Sequence, residues 1–524
     1  MTTPLKSYLQ GQWVSGQGTP ATLINPSTEE ALATCSTGGL DFKAAVKFAR
    51  DTGGAALRAL TFAQRGAILR TLAKVIGDAR EELIALGLSN AGNTRSDAKF
   101  DIDGAAATLN YYADLGTKLG EVKVLADGEG VPMGRSARLY GQHVLTPRHG
   151  VAVHINAFNF PAWGMGEKMA VALLAGVPVI SKPATSTALM AHRIAELWAG
   201  CGALPVGAFS FVCGSVGDLL SHLGPQDVVA FTGSSDTALS IRRQENLARD
   251  SVHVNIEADS LNSAILGPDA AAGSETLNLF LTDVAKEISQ KTGQKCTAVR
   301  RIYAPADRLD EVRDALVDRL KDLRVGNPAD DKTTMGPLAT LTQLRDVRAG
   351  IDALAASYEL ALGGSKPVEG QGKGAFVSPT LFVNRKPKPD TSDPVNAHEV
   401  FGPVATLMPY SSTAELLALV AAGGGGLVSS IYGDDKVWLN EVVIGIAPWH
   451  GRVTISGEKV AGQTVPPGTV MPQLLHGGPG RAGGGEELGG MRGLSLYLQR
   501  TALQGPRPFV EALANVKSTA PAAT

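Results

Sequence analysis

Four cysteines occur in the chain, at Cys35, Cys201, Cys213 and Cys296, and only the last has a setting suited to chemistry. Cys296 lies in Lys291-Thr292-Gly293-Gln294-Lys295-Cys296-Thr297, a polar stretch with two cations. A nearby cation favours the thiolate, the form of cysteine that attacks carbon, and lowers a free thiol pKa from about 8.5. Cys213 ends the apolar run Phe209-Ser210-Phe211-Val212 and reads as a core residue, and Cys201 sits between two glycines at a helix end. Four cysteines in 524 residues do not make a disulfide framework. None forms a CxxC pair and the nine histidines contain no HExxH, so no zinc site is expected.

Other polar residues fall where strands give way to helices. Asn159, in Phe158-Asn159-Phe160-Pro161, would aim an amide into a crevice at a sheet edge, or simply stabilise a turn. Lys182, in Lys182-Pro183-Ala184-Thr185, would reach a ribose or phosphate from a strand end, or serve as a solvated surface charge. In Phe231-Thr232-Gly233-Ser234-Ser235 the N–H groups of a helix start would favour phosphate oxygens, although capping by Ser234 or Ser235 explains the same residues. Glu257 ends the run Val252–Ile256, and Glu399 opens Glu399-Val400-Phe401-Gly402-Pro403; each alone reads as a carboxylate in water.

The elements that must hold these residues alternate. Between about residues 150 and 260, strands are expected at Val151–Ile155, Val177–Ser181, Phe209–Cys213 and Val228–Thr232. Helices are expected at Gly164–Leu174, Ala188–Ala199, Val216–Leu223 and Thr237–Leu247. Such alternation implies right-handed crossovers, a parallel sheet, and ligands at the strands' C-terminal ends. A second α/β unit is expected from about residue 258. There Arg300–Ala304 reads as a strand, and Leu309–Leu323 as a helix with Val312, Leu316 and Leu320 on one face. Residues 43–120 are alanine-rich and helical in character. The glycine-dense Gly423–Gly426 and Gly477–Gly490 read as flexible loops, and the tail after Ser518 as frayed.

Length suggests two to four domains at roughly 100–200 residues each. Hydrophobic residues at 44% and charged residues at 19% are ordinary for a globular protein. A formal net charge of −2 gives no preference for nucleic acid or an anionic membrane. No apolar run nears the roughly 18 residues of a membrane span, and the N-terminus lacks a secretory core, so a cytoplasmic location is expected.

Taken together and in order, Asn159, Lys182, Gly233-Ser234, Glu257, Gly293-Gln294-Lys295-Cys296 and Glu399-Val400-Phe401-Gly402-Pro403 resemble the aldehyde dehydrogenase superfamily. The likeness runs from Gln12-Trp13 to Glu487-Leu488-Gly489. It implies the α/β aldehyde dehydrogenase fold: a Rossmann-like cofactor domain (1–130 and 150–257), an α/β catalytic domain (258–480), and oligomerisation segments (131–149 and 491–510). The segments would be a β-ribbon near Gly134–Thr146 and a late strand near Leu494–Thr501, building homodimers or dimers of dimers. It also implies roles: Cys296 as nucleophile, Asn159 as oxyanion donor, Glu257 as the base for water, and Glu487, beside Glu486, as a proton relay. Lys182, Thr185, Gly233, Ser234, Glu399 and Phe401 would hold the nicotinamide cofactor, with no metal.

Two departures matter. Many NAD-preferring members carry Glu three residues after the equivalent of Lys182; here Thr185 stands there, and a preference for NADP is expected, because a carboxylate would repel a 2′-phosphate. Relatives often have Glu-Leu-Gly-Gly where this chain has Glu257-Ala258-Asp259-Ser260. The runs His154–Pro161, Glu257–Asn262 and His476–Gly490 resemble a narrower branch that oxidises CoA-linked semialdehydes in aerobic breakdown of aromatic acids. The chain ends at Thr524, so the stand-alone type of the benzoyl-CoA route is expected rather than the phenylacetate type fused to a hydratase. Three other readings stay open: a free aliphatic aldehyde as substrate, transfer of the acyl group to free CoA, and a non-catalytic nucleotide-binding protein. The presence of Glu257 argues against acyl transfer, and Cys296, Asn159 and Glu257 together argue against the last.

Overall fold

A computed structural model describes residues 2–463 and 465–514. The expected frayed tail lies outside the described residues. Two seven-stranded sheets dominate. The first runs, edge to edge, His253–Glu257, Val228–Thr232, Ala152–Ile155, Val179–Lys182, Phe209–Phe211, Ser7–Leu9 and Gln12–Val14. Its first five strands are parallel and the N-terminal hairpin adds on antiparallel. Chain order reverses beside Ala152–Ile155: the next strands go to one side, the later ones to the other. At such a reversal the crossover loops part and leave a crevice at the strands' C-terminal ends.

The second sheet runs Glu359–Leu362, Thr380–Val383, Val404–Tyr410, Arg301–Pro305, Ser263–Leu266, Gly426–Tyr432 and His450–Ser456. All its pairings are parallel except that of the Glu359–Leu362 edge. The segments entering its strands from the N-terminal side are Glu257–Asn262, Lys291–Arg300 and Glu399–Pro403. These line the same cleft as Asn156, Asn159 and Gly233, which leave the first sheet at its C-terminal edge. The cleft is thus built by one edge of each sheet.

Helix Trp163–Ala175 is buried at every residue, so its sequence is apolar nearly all round. It packs on helices Phe62–Asp78 and Arg95–Leu119. The Asp101 carboxylate from the latter accepts the Trp163 N–H at 2.7 Å and the Ala162 N–H at 3.3 Å, satisfying donors at a helix start that have no partner within the helix. Thr61 and Gln64 form a reciprocal cap on Phe62–Asp78. Helix Glu275–Ser289 buries Leu277, Phe280, Leu281, Val284 and Ile288, one stripe at helical spacing, and delivers the chain to the Cys296 loop.

Three segments depart from expectation. Val216–Leu223 holds only the short turn Leu219–His222, because Gly217 sits at φ 50°, which a right-handed helix does not pass. The helix expected over Thr237–Leu247 starts earlier, at Ser235, and breaks at extended Gln244 before Glu245–Arg249. The glycine-dense stretches are not loose: Gly426 opens a strand paired on both sides in the second sheet, and Leu475–Gly477 pairs antiparallel with Glu486–Leu488. A three-stranded antiparallel sheet joins Leu125–Pro132, Leu139–Pro147 and Leu498–Pro506. No described helix is long and apolar enough to cross a membrane.

Candidate active site

The loop that carries Cys296 is held in an unusual path. Lys291, Thr292 and Gly293 are consecutive left-handed residues, at φ 53°, 54° and 66°. At Gly293 a Cβ would lie 2.2 Å from the Gly402 carbonyl oxygen, so only glycine fits. Side chains brace the path. The Thr292 hydroxyl donates to the Gly336 carbonyl (2.9 Å). The Gln294 amide donates to the Phe401 carbonyl (3.3 Å) and its oxygen accepts from Ala339 N–H (2.8 Å). Asn262 Nδ2 donates to the Cys296 and Ala298 carbonyls at 2.8 and 2.9 Å, while its oxygen accepts from Leu427 and Val428 N–H.

The two cations expected to ionise Cys296 turn away from it. Lys295 is fully buried, pairing with Glu287 at 2.7 Å and donating to Gln290 at 2.8 Å. Lys291 lies over the Phe160 ring at 4.4 Å, and burial lowers its pKa against the pull of Asp101. The thiol pKa is instead pushed up, first by burial and then by the negative charge of Glu257. Both cations stand near Cys296 along the chain, but Lys291, within the left-handed run, lies over Phe160, and Lys295, beyond it, is held by Glu287.

Glu257, at the end of its strand, is buried and pairs with His476 across 2.9 Å. Burial raises its carboxyl, but His476, Lys168 and a hydrogen bond with Cys296 outweigh that and bring it to about 2. Asn159 and Glu257 line the cleft beside Cys296, which keeps partial exposure there. The cleft holds about 690 Å³. Glu487 lies behind Glu257 rather than on the cleft: its carboxylate is 3.1 Å from Lys168 Nζ and accepts from Asn255 Nδ2 at 3.3 Å. Glu486, its neighbour, is exposed.

Lys182, Thr185, Gly233, Ser234, Glu399 and Phe401 line the outer part of the same cleft. Lys182 is half-buried, with its pKa lowered by that burial, and makes no ion pair among the described residues. Thr232 Oγ1 is buried on the cleft wall without a hydrogen-bond partner. An unpaired ammonium and an orphaned hydroxyl suit a hydroxyl- and phosphate-bearing ligand. Ser234 is exposed and caps helix Ser235–Arg242. The departure at Asp259 has a structural role: its carboxylate accepts the Ser235 N–H at 3.1 Å, while Gly233 N–H donates to the Glu257 carbonyl at 3.2 Å. Glu399 accepts from Ser260 N–H at 2.8 Å and Arg300 Nε at 3.1 Å, and burial raises its carboxyl despite that arginine. Phe401 meets Phe158 edge-on at 5.8 Å.

Sequence reasoning missed four members of this site. Glu167 and Lys168 form a fully buried pair at 2.6 Å within the apolar helix Trp163–Ala175. Two charges in the middle of an otherwise apolar run were the available signal, since such residues are almost never buried unpaired. Arg300 and His476 gave no comparable signal, because their partners are distant in sequence.

The sequence pattern of the aldehyde dehydrogenase family matches residues 13–501. The chain is 45% identical, over 479 residues, to a 3,4-dehydroadipyl-CoA semialdehyde dehydrogenase of Aromatoleum evansii, covering 91% of this chain and 93% of that one. It is 28% identical over 503 residues to a hydroxyisobutyraldehyde dehydrogenase of Mycolicibacterium austroafricanum, covering 93% and 91%. Among solved structures, an aldehyde dehydrogenase of Bacillus cereus in complex with NAD+ superposes with TM-score 0.83 at 28% identity, covering 96% of each chain. Betaine aldehyde dehydrogenase of Staphylococcus aureus, also with NAD+, gives TM-score 0.83 at 25% identity, covering 99% and 97%. A family match over nearly the whole length, on an α/β frame that brings a cysteine, a glutamate and an asparagine to one cleft, identifies this chain as a member of the aldehyde dehydrogenase family, an enzyme that oxidises aldehydes.

Proposed function

We propose that this enzyme oxidises a CoA-linked semialdehyde, 3,4-dehydroadipyl-CoA semialdehyde, to the free acid in aerobic benzoate breakdown, with NADP preferred over NAD. The observation that carries the reading is the shared cleft: Cys296, Asn159 and Glu257 at its inner end, Lys182, Thr185, Ser234 and Glu399 along its outer part. The 45% identity to the Aromatoleum evansii enzyme supports the substrate.

In this reading the Cys296 thiolate attacks the aldehyde carbon, and the Asn159 amide with the Cys296 N–H holds the developing oxyanion. A nicotinamide dinucleotide held by Lys182, Thr185, Ser234 and Glu399 would supply the hydride acceptor for the oxidation that leaves the substrate as a thioester on Cys296. Glu257 then removes a proton from water for hydrolysis, and Glu487, through Lys168, carries protons away from it. Lys182 and Thr185 hold the adenosine ribose. Thr185 donates a hydrogen bond where a carboxylate would repel a 2′-phosphate, and so leaves Lys182 free to pair with that phosphate. Gly233 and Ser234 face the pyrophosphate; Glu399 and Phe401 border the nicotinamide ribose. The cofactor domain comprises 1–130 and 150–257 and the catalytic domain 258–480. Segments 131–149 and 491–510 pair subunits into dimers, in the cytoplasm.

The test is a rate comparison of CoA-linked and free semialdehydes, each with NADP and NAD, together with identification of the product. Faster turnover of the CoA-linked compound with NADP, yielding a free acid, is expected. Dominant activity on free aldehydes with NAD, or a new thioester as product, overturns it.

A further inference from the structure

Glu257 has one engaged oxygen and one free one. It ends strand His253–Glu257, and His476 Nε2 lies 2.9 Å from its Oε2. Nitrogen and carboxylate oxygen approach that closely with a proton between them, so Oε2 is an acceptor already in use. Oε1 is buried and has no hydrogen-bond partner among the described residues. An unpaired buried carboxylate oxygen costs free energy, and it marks a spot where a donor belongs.

Two more oxygens without partners stand on the same rung of the sheet. Ile155 pairs with Phe231, and Phe231 with Ile256. One residue on, Thr232 pairs with Glu257, and Asn156 extends its own strand, its N–H donating to the Lys182 carbonyl at 3.0 Å. Asn156, Thr232 and Glu257 therefore leave three neighbouring parallel strands at one level and on one face, with backbones about 5 Å apart from strand to strand. Asn156 Nδ2 donates to Ser181 Oγ at 3.3 Å, while Asn156 Oδ1 and Thr232 Oγ1 are buried without a hydrogen-bond partner among the described residues. Asn156 is 4% exposed and Glu257 2%. All three residues and Cys296 line one small cavity, in which the centre of a water has about 10 Å³ to move. That is room for one molecule.

We propose that Asn156 positions the water that hydrolyses the thioester. One water donates a hydrogen to Glu257 Oε1 and the other to Asn156 Oδ1, and its oxygen accepts the hydrogen of the Thr232 hydroxyl. Two acceptors and a hydroxyl match the two hydrogens and the lone pair of a water, whereas an ammonium has no lone pair to offer. The second lone pair of the water is left for the acyl carbon on Cys296, which borders the same cavity. This rests on the reading of Glu257 as the base for water and deepens it. In the step, one O–H bond breaks and its proton goes to Glu257 Oε1. An O–C bond forms at the acyl carbon, and the C–S bond breaks with its electron pair on sulfur. Asn156 exchanges no proton and touches no substrate atom, so it is a positioning residue.

The experiment uses p-nitrophenyl acetate, which acetylates a reactive cysteine without aldehyde or cofactor, on the unliganded full chain. Release of nitrophenolate reads acylation. Loss of the acetyl group from the Cys296 peptide, followed by quenching and mass spectrometry, reads deacylation. Asn156→Leu removes the acceptor and fills the water's place; Asn156→Ala removes the acceptor alone. Both are compared with the wild type and with Glu257→Gln, and melting temperatures verify folding. Deacylation is expected to slow roughly tenfold or more in Asn156→Leu and roughly threefold or more in Asn156→Ala, with acylation within about twofold of the wild type in both. A merely structural role would slow the two steps together. Unchanged deacylation in either folded Asn156 variant, or an equal fall in both steps, overturns the proposal. Glu257→Gln is expected to stall deacylation. If it does and Asn156→Leu does not, the positioning role alone fails; if Glu257→Gln deacylates at the wild-type rate, the assignment of the base fails and the proposal with it.

Discussion

Arg300 ties Glu399 to the loop that carries the nucleophile. Its Nε donates to Glu399 Oε1 at 3.1 Å, one terminal nitrogen donates to the Gly402 carbonyl at 2.7 Å, and the other to the Gly293 carbonyl at 2.9 Å. One buried guanidinium thus joins the Cys296 loop to the segment Glu399–Pro403, and a change at either end is felt at the other. Arg300→Lys keeps the charge but not the planar fork, which a single ammonium cannot reproduce. It is expected to lower the melting temperature and raise KM for the cofactor at least tenfold, measured by calorimetry and by cofactor titration. An unchanged KM would separate Glu399 from cofactor binding.

Gly293→Ala tests the left-handed run before Cys296. The added methyl meets the Gly402 carbonyl at 2.2 Å, at a φ of 66° where an alanine is itself strained. Strain of this kind costs about 1–3 kcal/mol before any clash is relieved. The variant is expected to lose that much stability in urea and to fall at least 100-fold in kcat as the sulfur shifts. Gly372→Ala, where nothing lies within 4 Å of the new carbon, serves as the control.

Glu257 gives the acid limb of the stability profile a specific origin. Its carboxyl lies at about 2 in the fold against an ordinary value of 4.5, so the ionised form is favoured by folding. The unfolded chain therefore binds this proton first as pH falls, and stability is lost on the way down. The contribution is full above about 4.5 and disappears by about 2, and amounts to a few kcal/mol at roughly 1.4 kcal/mol per unit. Melting temperatures at pH 5.5 and 3.5 are expected to differ less in Glu257→Gln than in the wild type. An equal fall in both would show that the pairing with His476 contributes nothing to the acid limb.

The parts of this site visible in the sequence are those whose neighbours along the chain are also their functional context. Glu257 at a strand end, Asn159 in a strand-to-helix turn and Ser234 at a helix start follow from local periodicity, because a strand's C-terminal end and a helix's first turn are defined within a few residues. Lys291 and Lys295 show where that logic fails. Their spacing from Cys296 suggested an electrostatic partner, but Lys291 lies in a left-handed run over the Phe160 ring and Lys295 pairs with Glu287, and backbone handedness of non-glycine residues leaves little trace in sequence. His476 and Arg300 were illegible for a different reason: each acts on a residue from another strand or loop, 219 positions away for the pair His476 and Glu257 in number and 99 for Arg300 and Glu399. The glycine-dense 477–490 stretch was misread because composition alone does not separate a loose loop from backbone packed against backbone; Gly485 N–H in fact donates to the Ile256 carbonyl at 3.0 Å.

Lys168 holds two buried carboxylates apart, Glu167 at 2.6 Å and Glu487 at 3.1 Å. Burial pushes the Glu167 carboxyl upward, and the surrounding carboxylates raise the Lys168 ammonium in spite of its own burial. Lys168→Met removes the cation and leaves acids without a partner, a loss of about 3–5 kcal/mol by comparison with other broken buried pairs. Adding Glu167→Gln to the same chain removes one of the stranded charges. The double variant is expected to regain part of the stability in a urea titration, whereas additive losses would mean that the two side chains are not coupled.

Thr185→Glu addresses the cofactor. Thr185 and Lys182 share the outer end of the cleft, three residues apart on the turn that follows strand Val179–Lys182. A glutamate there brings a negative charge toward any 2′-phosphate and offers two acceptor oxygens to a ribose diol, so the two cofactors are driven in opposite directions. At an effective dielectric near 20, like charges about 4 Å apart repel by about 4 kcal/mol, and solvent screening at this half-exposed turn reduces that to a fraction. A shift of tenfold or more in the NADP to NAD ratio of kcat/KM, in favour of NAD, is the expected result. The same ratio in wild type and variant would mean that the 2′ position is held elsewhere in the cleft, and the preference argued from Thr185 would then have no basis.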